Sequence, residues 1–318
     1  MNRTAWISFW ILGFIWGSSF LLIRIGVEDI PATQLVLVRT TVAAIGLNLV
    51  RHFRGFRLPT DWSTIRAFTL IGVGNAAIPY TLISLGEQNI SSGNAAVLQA
   101  TASLFTLIVA HFAFTDERIT PRKIAGLAVG FAGIVLLSSR NFDSSGLDTP
   151  ALLGQLAVMG ASLFYATFIV YSRKVIGRNL APIVVSSGTF IPAAIVSFFF
   201  MLLEPVFGGR AFVPFTELPT DSLLAVFGLG FFNTFIAYLF FYFIIRELGA
   251  FRASMVTYIV PAVGLFLGWV VLGEETDARL LLGAALIFMG IGIVNIRHLR
   301  LRRQTLQFRR AATTTTGT

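Results

Sequence analysis

The chain has no cysteine. That absence excludes a disulfide framework, a thiolate metal site and a cysteine nucleophile. Histidine is scarce too: His52, His111 and His298 lie far apart, near predicted helix ends, and make no metal-ligand pair. Charge is the third shortage. Only 12% of the 318 residues are charged, whereas 55% are hydrophobic. A soluble domain carries roughly 25% charged residues, so this chain lacks the charge to cover a water-facing surface. No phosphate-binding Gly-Lys loop occurs, which argues against ATP drive within the chain. His-Glu-x-x-His and Gly-x-Ser-x-Gly runs are missing as well, and no cofactor or metal is expected.

What the sequence has instead is long apolar runs. A bilayer core takes about 20 apolar residues per helix. Ten stretches have that character: Trp6–Gly26, Thr33–Val50, Thr64–Gly86, Ser91–Phe114, Pro121–Ser139, Ala151–Ile176, Pro182–Leu203, Ser222–Ile245, Ala250–Leu272 and Ala278–Ile296. They predict an all-α integral membrane protein of about ten transmembrane helices. Connections as short as Asn89–Ile90 and Leu248–Gly249 force antiparallel neighbours. The first stretch is too long for a signal peptide and lacks a small-residue cleavage site, so it reads as the first membrane helix.

The basic residues divide unevenly between the two sides. The amino terminus, the loops after stretches 2, 4, 6 and 8, and the carboxyl tail hold Arg3; Arg51, Arg54, Arg57 and Arg66; Arg118, Arg122 and Lys123; Arg173, Lys174 and Arg178; Arg246 and Arg252; and Arg297, Arg300, Arg302, Arg303, Arg309 and Arg310. Arg24, Arg39, Arg140, Arg210 and Arg279 fall on the other side or within the membrane, and the acids show the reverse trend. Basic loops stay cytoplasmic. Both termini are therefore expected inside, in a cell's inner or cytoplasmic membrane, and that needs an even number of spans. A net charge of +9 could also suit a nucleic-acid partner. Anionic lipid headgroups explain the Arg-rich tail better, so the bilayer is the expected partner and nucleic acid is not. Residues 297–318 read as a basic, disordered cytoplasmic tail.

Sliding the chain on itself by 158 residues pairs Asn75 with Asn233, Ile78 with Ile236, Tyr80 with Tyr238 and Leu107 with Leu265. The acidic pair Asp116-Glu117 meets Glu274-Glu275. Stretches 3–5 thus superpose in frame on stretches 8–10. Each half then has five helices, and an odd number makes the second half run opposite to the first. Inverted repeats of this kind place a substrate site near the midplane between the halves.

Trp16-Gly17-Ser18-Ser19-Phe20, then Pro31 and Arg39, resemble the opening of an EamA-type repeat. So do Asp116-Glu117 followed by Pro121 and Gly126, and Gly273-Glu274-Glu275 followed by Gly283. The arrangement resembles the drug/metabolite transporter superfamily, with EamA-type repeats over 6–139 and 151–296. The second half departs at its start, where Ser162-Leu163-Phe164-Tyr165 stands for the Trp-Gly-Ser-Ser run. The resemblance implies a secondary transporter of small metabolites, often an exporter of amino acids or drug-like compounds.

Polar groups inside a bilayer need a partner or water. Pro79, Pro192 and Pro261 cannot donate to the carbonyls of Asn75, Gly188 and Thr257. Each marks a broken helix lining a cavity, or a kink satisfied by a neighbour. Tyr80, Ser84 and Glu87 share one face, as do Thr234, Tyr238 and Tyr242. The tyrosine stripes are preferred over Asn75 and Asn233 as the cavity face. With Trp16, Gln99, Tyr165 and Tyr258 they make the candidate cavity, and aromatic walls with a few hydrogen-bonding groups suit an amphipathic metabolite. Arg39 lies roughly 9 Å inside its helix, which favours an internal ion pair with Glu28, Asp29 or Glu87 over contact with a substrate carboxylate. Glu87 and Glu247 stand at helix ends and no carboxylate is at mid-membrane. Transport is then a uniport, or is coupled through end-of-helix groups.

Two other classes compete. Glu274-Glu275-Thr276-Asp277-Ala278-Arg279 fits the Glu-Glu-x-x-x-Arg pattern of CAAX-type intramembrane proteases, but the run lies at an outer turn and lacks the accompanying histidines. A channel or scaffold would show a filter-like polar run, and none is visible. The carrier is therefore expected not to be an enzyme; monomer and homodimer stay open.

Overall fold

The computed structural model describes residues 3–115, 119–139, 142–143, 146–175 and 180–294. Nine of its helices are long and apolar enough to cross a membrane: α1 (Arg3–Asp29), α2 (Ala32–Phe53), α3 (Trp62–Gly86), α4 (Ser92–Ala113), α5 (Pro121–Ser138), α6 (Thr149–Arg173), α7 (Pro182–Phe207), α8 (Thr220–Leu248) and α9 (Arg252–Leu272). A tenth apolar helix, α10 (Ala278–Val294), is shorter. The protein is thus an all-α integral membrane protein. Among the described residues the sole extended pairing joins Phe142-Asp143 to Gly146-Leu147. The basic tail and the Asp116-Glu117 pair lie outside the described residues.

The helices pair across the two halves. α2 packs along α7, and α4 along α9. α1 lies against α8 and α9, as α6 lies against α3 and α4. Small residues permit these approaches. A Cβ on Gly126 would stand 2.8 Å from the Gly290 carbonyl oxygen, and one on Gly133 would stand 2.7 Å from that of Gly283, so α5 and α10 cross backbone to backbone. Gly86 of α3 and Gly154 of α6 meet as closely, each 2.8 Å from the other's carbonyl oxygen.

Four helices depart from regular α geometry in their interiors, and α7 ends in a 3₁₀ turn at Glu204–Phe207. α3 contains a π-helical turn at Val73–Ala77, and α8 one at Phe231–Ile236. Their first residues are related by the same 158-residue offset as the repeat. The α3 turn runs directly into Pro79, so the residue that cannot donate is absorbed by a widened turn. α4 breaks at Ala100–Thr101, where the Thr101 hydroxyl donates to the Leu98 carbonyl. α9 opens α-helical, tightens into a 3₁₀ turn at Met255–Tyr258 and is α-helical again from Val260, around Pro261. Pro192 is different: it sits inside an unbroken α7. A proline removes one intrahelical hydrogen bond, and the bonds on either side carry the helix through.

At the end of the bundle away from Arg3, here called distal, polar contacts tie the loops to helix ends. The Glu204 carboxylate accepts from the Thr33 amide at 3.1 Å and from the Thr33 hydroxyl, capping α2. Arg210 donates to the carbonyls of Val27, Glu28 and Ile30 at the end of α1. Gln34 exchanges two hydrogen bonds with the Val213 backbone. The Glu274 carboxylate accepts from the Ser92 and Gly93 amides at 2.6 and 2.9 Å, capping α4 from the α9–α10 turn. The free amides and positive dipole end of a helix favour such a carboxylate.

Candidate functional site

Arg39 occupies the space between the halves. It is 5% exposed, its Nε donates to the Thr234 hydroxyl at 2.9 Å, and its guanidinium lies 3.8 Å over the Tyr80 ring. The Thr234 hydroxyl in turn donates to the Leu229 carbonyl, five residues back, inside the π-turn region of α8. No carboxylate lies within ion-pair distance of Arg39 among the described residues. The expected pair with Glu28, Asp29 or Glu87 is therefore not formed. Glu28 faces Arg24 at 3.9 Å instead, and the two carboxylate oxygens of Glu87 have no hydrogen-bond partner. The reason is geometric: α2 carries Arg39 inward onto the tyrosines, whereas Glu28 ends α1 at the distal surface.

Around Arg39 stand Tyr80, Tyr165 and Tyr238, close enough to interact electrostatically with it and with one another. Tyr242 joins them through Tyr80 and Tyr238. The Tyr165 hydroxyl reaches the Gln99 side chain. Tyr238 stacks edge-on against Phe190 at 5.2 Å and lies 6.0 Å from Tyr242, whose hydroxyl is bonded to that of Ser186. Arg39, Tyr80 and Gln99 come from the first half; Tyr165, Tyr238, Tyr242, Thr234 and Ser186 come from the second. Tyr80 is buried, while Tyr165, Tyr238, Tyr242 and Gln99 keep part of their surface open.

The remaining candidates fall elsewhere. The Asn233 side-chain amide donates to the Ile15 carbonyl and to the hydroxyls of Ser18 and Ser19, so it binds α8 to α1. Asn75, its counterpart, has a buried side-chain oxygen with no partner. Trp16 packs against Phe241 at 5.3 Å, beside the cluster around Leu12 and Ile244. Tyr258 is 36% exposed in the 3₁₀ turn of α9, apart from the other tyrosines. Thr234 shares the helical stripe of Tyr238 and Tyr242, so spacing brings it in; Ser186 and Phe190 carry no comparable sequence signal.

A cavity of about 890 Å³ opens at the distal end between α1, α3 and α7. Thr81, Leu85 and Gln88 line it from α3, with Arg24, Phe200 and Phe207 among its other walls. On that helix it is separated from the stripe of Tyr80, Ser84 and Glu87. The Glu-Glu-x-x-x-Arg run finds structural employment: Glu274 caps α4, and Arg279 donates to the Ser139 carbonyl.

Residues 4–139 and 152–296 each match the EamA-like transporter family. The chain is 32% identical over 275 residues to the inner membrane transporter YedA of Escherichia coli K12, covering 85% of this chain and 83% of that one. It is 26% identical over 319 residues to a probable amino-acid metabolite efflux pump of the same organism, covering 95% of this chain and 98% of the relative. A solved crystal structure superposes with a TM-score of 0.61 at 20% identity, covering 95% of this chain and 99% of its own; at that identity the likeness concerns the fold. Two matches that together span nearly all of the helical body, and a relative sharing a third of its residues, lead to one conclusion: this chain belongs to the EamA-like transporter family.

Proposed function

We propose that this transporter is a secondary carrier that exports a small amphipathic metabolite, of amino-acid or drug-like kind, by alternating access, with both termini in the cytoplasm. The observation that carries the reading is the Arg39–tyrosine cluster between the halves. Arg39 spends Nε on Thr234 and its face on Tyr80. Its two terminal nitrogens have no acceptor among the described residues. A substrate carboxylate would take both in the bidentate geometry that guanidinium favours, and the half-open tyrosines would take the apolar remainder. The name of the efflux-pump relative agrees with a carboxylate-bearing cargo.

The test is counterflow in proteoliposomes with labelled neutral amino acids and their N-acylated forms. A carrier shows trans-stimulation, and a channel does not. Arg39→Lys, which loses the fork and the flat stack, is expected to cut exchange by about tenfold, equivalent to roughly 1.4 kcal/mol. Tyr238→Ala should lower it with normal membrane insertion. Unchanged exchange in both variants removes the cluster from the substrate path.

A further inference from the structure

The cavity between α1, α3 and α7 takes its shape from the helices around it. Away from the distal end, α3 and α7 touch. A Cβ on Gly72 would lie 2.1 Å from the Thr189 carbonyl oxygen, and one on Gly188 would lie 2.3 Å from the Phe68 ring. Beyond the π-turn at Val73–Ala77 and Pro79, the two helices face each other across the cavity instead. Ile78, Leu82 and Leu85 stand on one side, with Phe200 and Leu203 on the other. Ile78, Leu82, Leu85 and Gln88 follow at spacings of three and four, so they form one helix face. From Ile78 to Gln88 that face rises about 15 Å, half of a hydrocarbon core of roughly 30 Å. The cleft is therefore as deep as one leaflet. Leu203 and Phe207 at its edge are 46% and 83% exposed, an apolar rim of the kind that meets lipid.

Four charged side chains ring the distal mouth, and two of them are spent. Glu204 caps α2 through Thr33, and Arg210 gives three hydrogen bonds to the end of α1. Arg24 and Glu28 remain. Arg24 gives Nη1 to the Glu87 carbonyl, and its Nε lies 3.9 Å from the Glu28 carboxylate. Its Nη2 has no acceptor among the described residues, and the Glu28 side chain is 62% exposed. The two stand one turn apart on α1, with Glu28 about 6 Å nearer the distal surface. From its floor upward the cleft thus offers an apolar wall, then a cation, then an anion. A phosphoethanolamine lipid has the matching order of acyl chain, phosphate and ammonium. An anionic lipid would leave Glu28 without a counter-charge, and a choline headgroup brings it no N–H. A free amino acid has both charges but nothing to lay along a wall of that depth.

We propose that the cleft between α3 and α7 holds one phosphoethanolamine lipid of the distal leaflet, with an acyl chain along Leu82, Leu85 and Phe200, the phosphate at Arg24 and the ammonium at Glu28. The phosphate accepts from the guanidinium, and the ammonium donates to the carboxylate. Both bonds are charge-assisted and lie at the edge of hydrocarbon, where a low dielectric strengthens them. The chain fills the gap that α3 opens on parting from α7, so the lipid packs the distal half as a side chain would.

The test needs no cargo and is independent of the carrier reading. The full chain is placed in nanodiscs of ethanolamine, choline and glycerol phospholipids with identical chains in equal amounts, then released for native mass spectrometry. An ethanolamine lipid should stay bound, favoured over the choline lipid by about tenfold, as expected for one hydrogen bond to a charged group. Glu28→Gln should bring those two lipids to parity. Leu85→Trp, which fills the cleft, should abolish retention. An ethanolamine lipid carrying a diazirine in its acyl chain should label the segments around Leu82, Leu85 and Phe200. No retained lipid, equal retention of all headgroups, a preference unchanged in Glu28→Gln, or labelling confined to other segments overturns the proposal. Displacement of the lipid by a free neutral amino acid overturns it too, and makes the cleft part of a cargo path. Should Leu85→Trp fail to fold, the Glu28→Gln comparison and the labelled segments decide.

Discussion

Arg39 shows how one residue can be placed by its sequence position and still be misjudged in its bonding. A charge two turns inside an apolar helix needs company, and a carboxylate is the ordinary choice. The structure supplies a ring face and a hydroxyl, of which the former is worth about 0.5–2 kcal/mol. That suffices because a guanidinium is weakly hydrated and spreads its charge. Its partner Thr234 is 195 residues away, and nothing in the local sequence points to it. Asp61 is the opposite case, a residue whose partners are its own neighbours in sequence. It stands before Trp62 and caps α3, accepting from the Thr64 amide at 2.9 Å and the Ser63 hydroxyl at 2.8 Å. Bonds to Thr64 and Ser63 hold its carboxyl at about 2, below its ordinary 3.8. A lowered value means stability that is present above 3.8 and is lost as pH falls through about 2. Protection of the first-turn amides of α3, taken against the exchange of an unstructured peptide at the same pH, should therefore be high at neutral pH and fall in acid. In Asp61→Ala it should be low throughout, and a flat native profile would refute the cap.

At the scale of elements, the apolar runs locate the helices well because hydrocarbon demands them. The irregular turns inside those helices escape notice. The α4 break at Ala100–Thr101 has neither proline nor glycine, and the π-turns of α3 and α8 have no residue signature of their own. In α8 the Thr234 hydroxyl offers the backbone an alternative partner by donating to the Leu229 carbonyl. Tyr80 and Tyr238 both follow their π-turns, on stripes that helical spacing alone picks out. Glycine spacing does announce close crossings, although not their partners. A Cβ on Gly290 would strike the backbone of Gly126 and Gly130 at 2.5–2.8 Å, whereas one on Gly292 would meet nothing within 4 Å. Gly290→Ala should destabilise the protein by about 1–3 kcal/mol in reversible unfolding in mixed micelles. Gly292→Ala should be neutral or mildly stabilising, helped by helix propensity. Equal effects would mean that α5 and α10 do not cross as described.

The molecule as a whole is two sets of helices that find their counterparts: α2 with α7, α4 with α9, α5 with α10. This was half legible. The offset between Tyr80 and Tyr238 gave the repeat, while the pairing of helices across it came from three-dimensional packing. The absence of cysteine makes the sidedness directly measurable, because any cysteine introduced is the only one. Phe212→Cys, 49% exposed in the distal loop, should react with an impermeant maleimide on intact cells. Arg54→Cys, exposed after α2, should react after permeabilisation. The reverse pattern would turn the molecule over.

The two π-turns fix a register. A π-turn holds about one residue more per turn than the α-helix around it. The turns begin at Val73 and Phe231, at the offset that relates the halves. Deleting one residue from either turn would rotate everything beyond it by about 100°, swinging a tyrosine stripe out of the midplane. Both turns should therefore tolerate changes of side chain and resist changes of length.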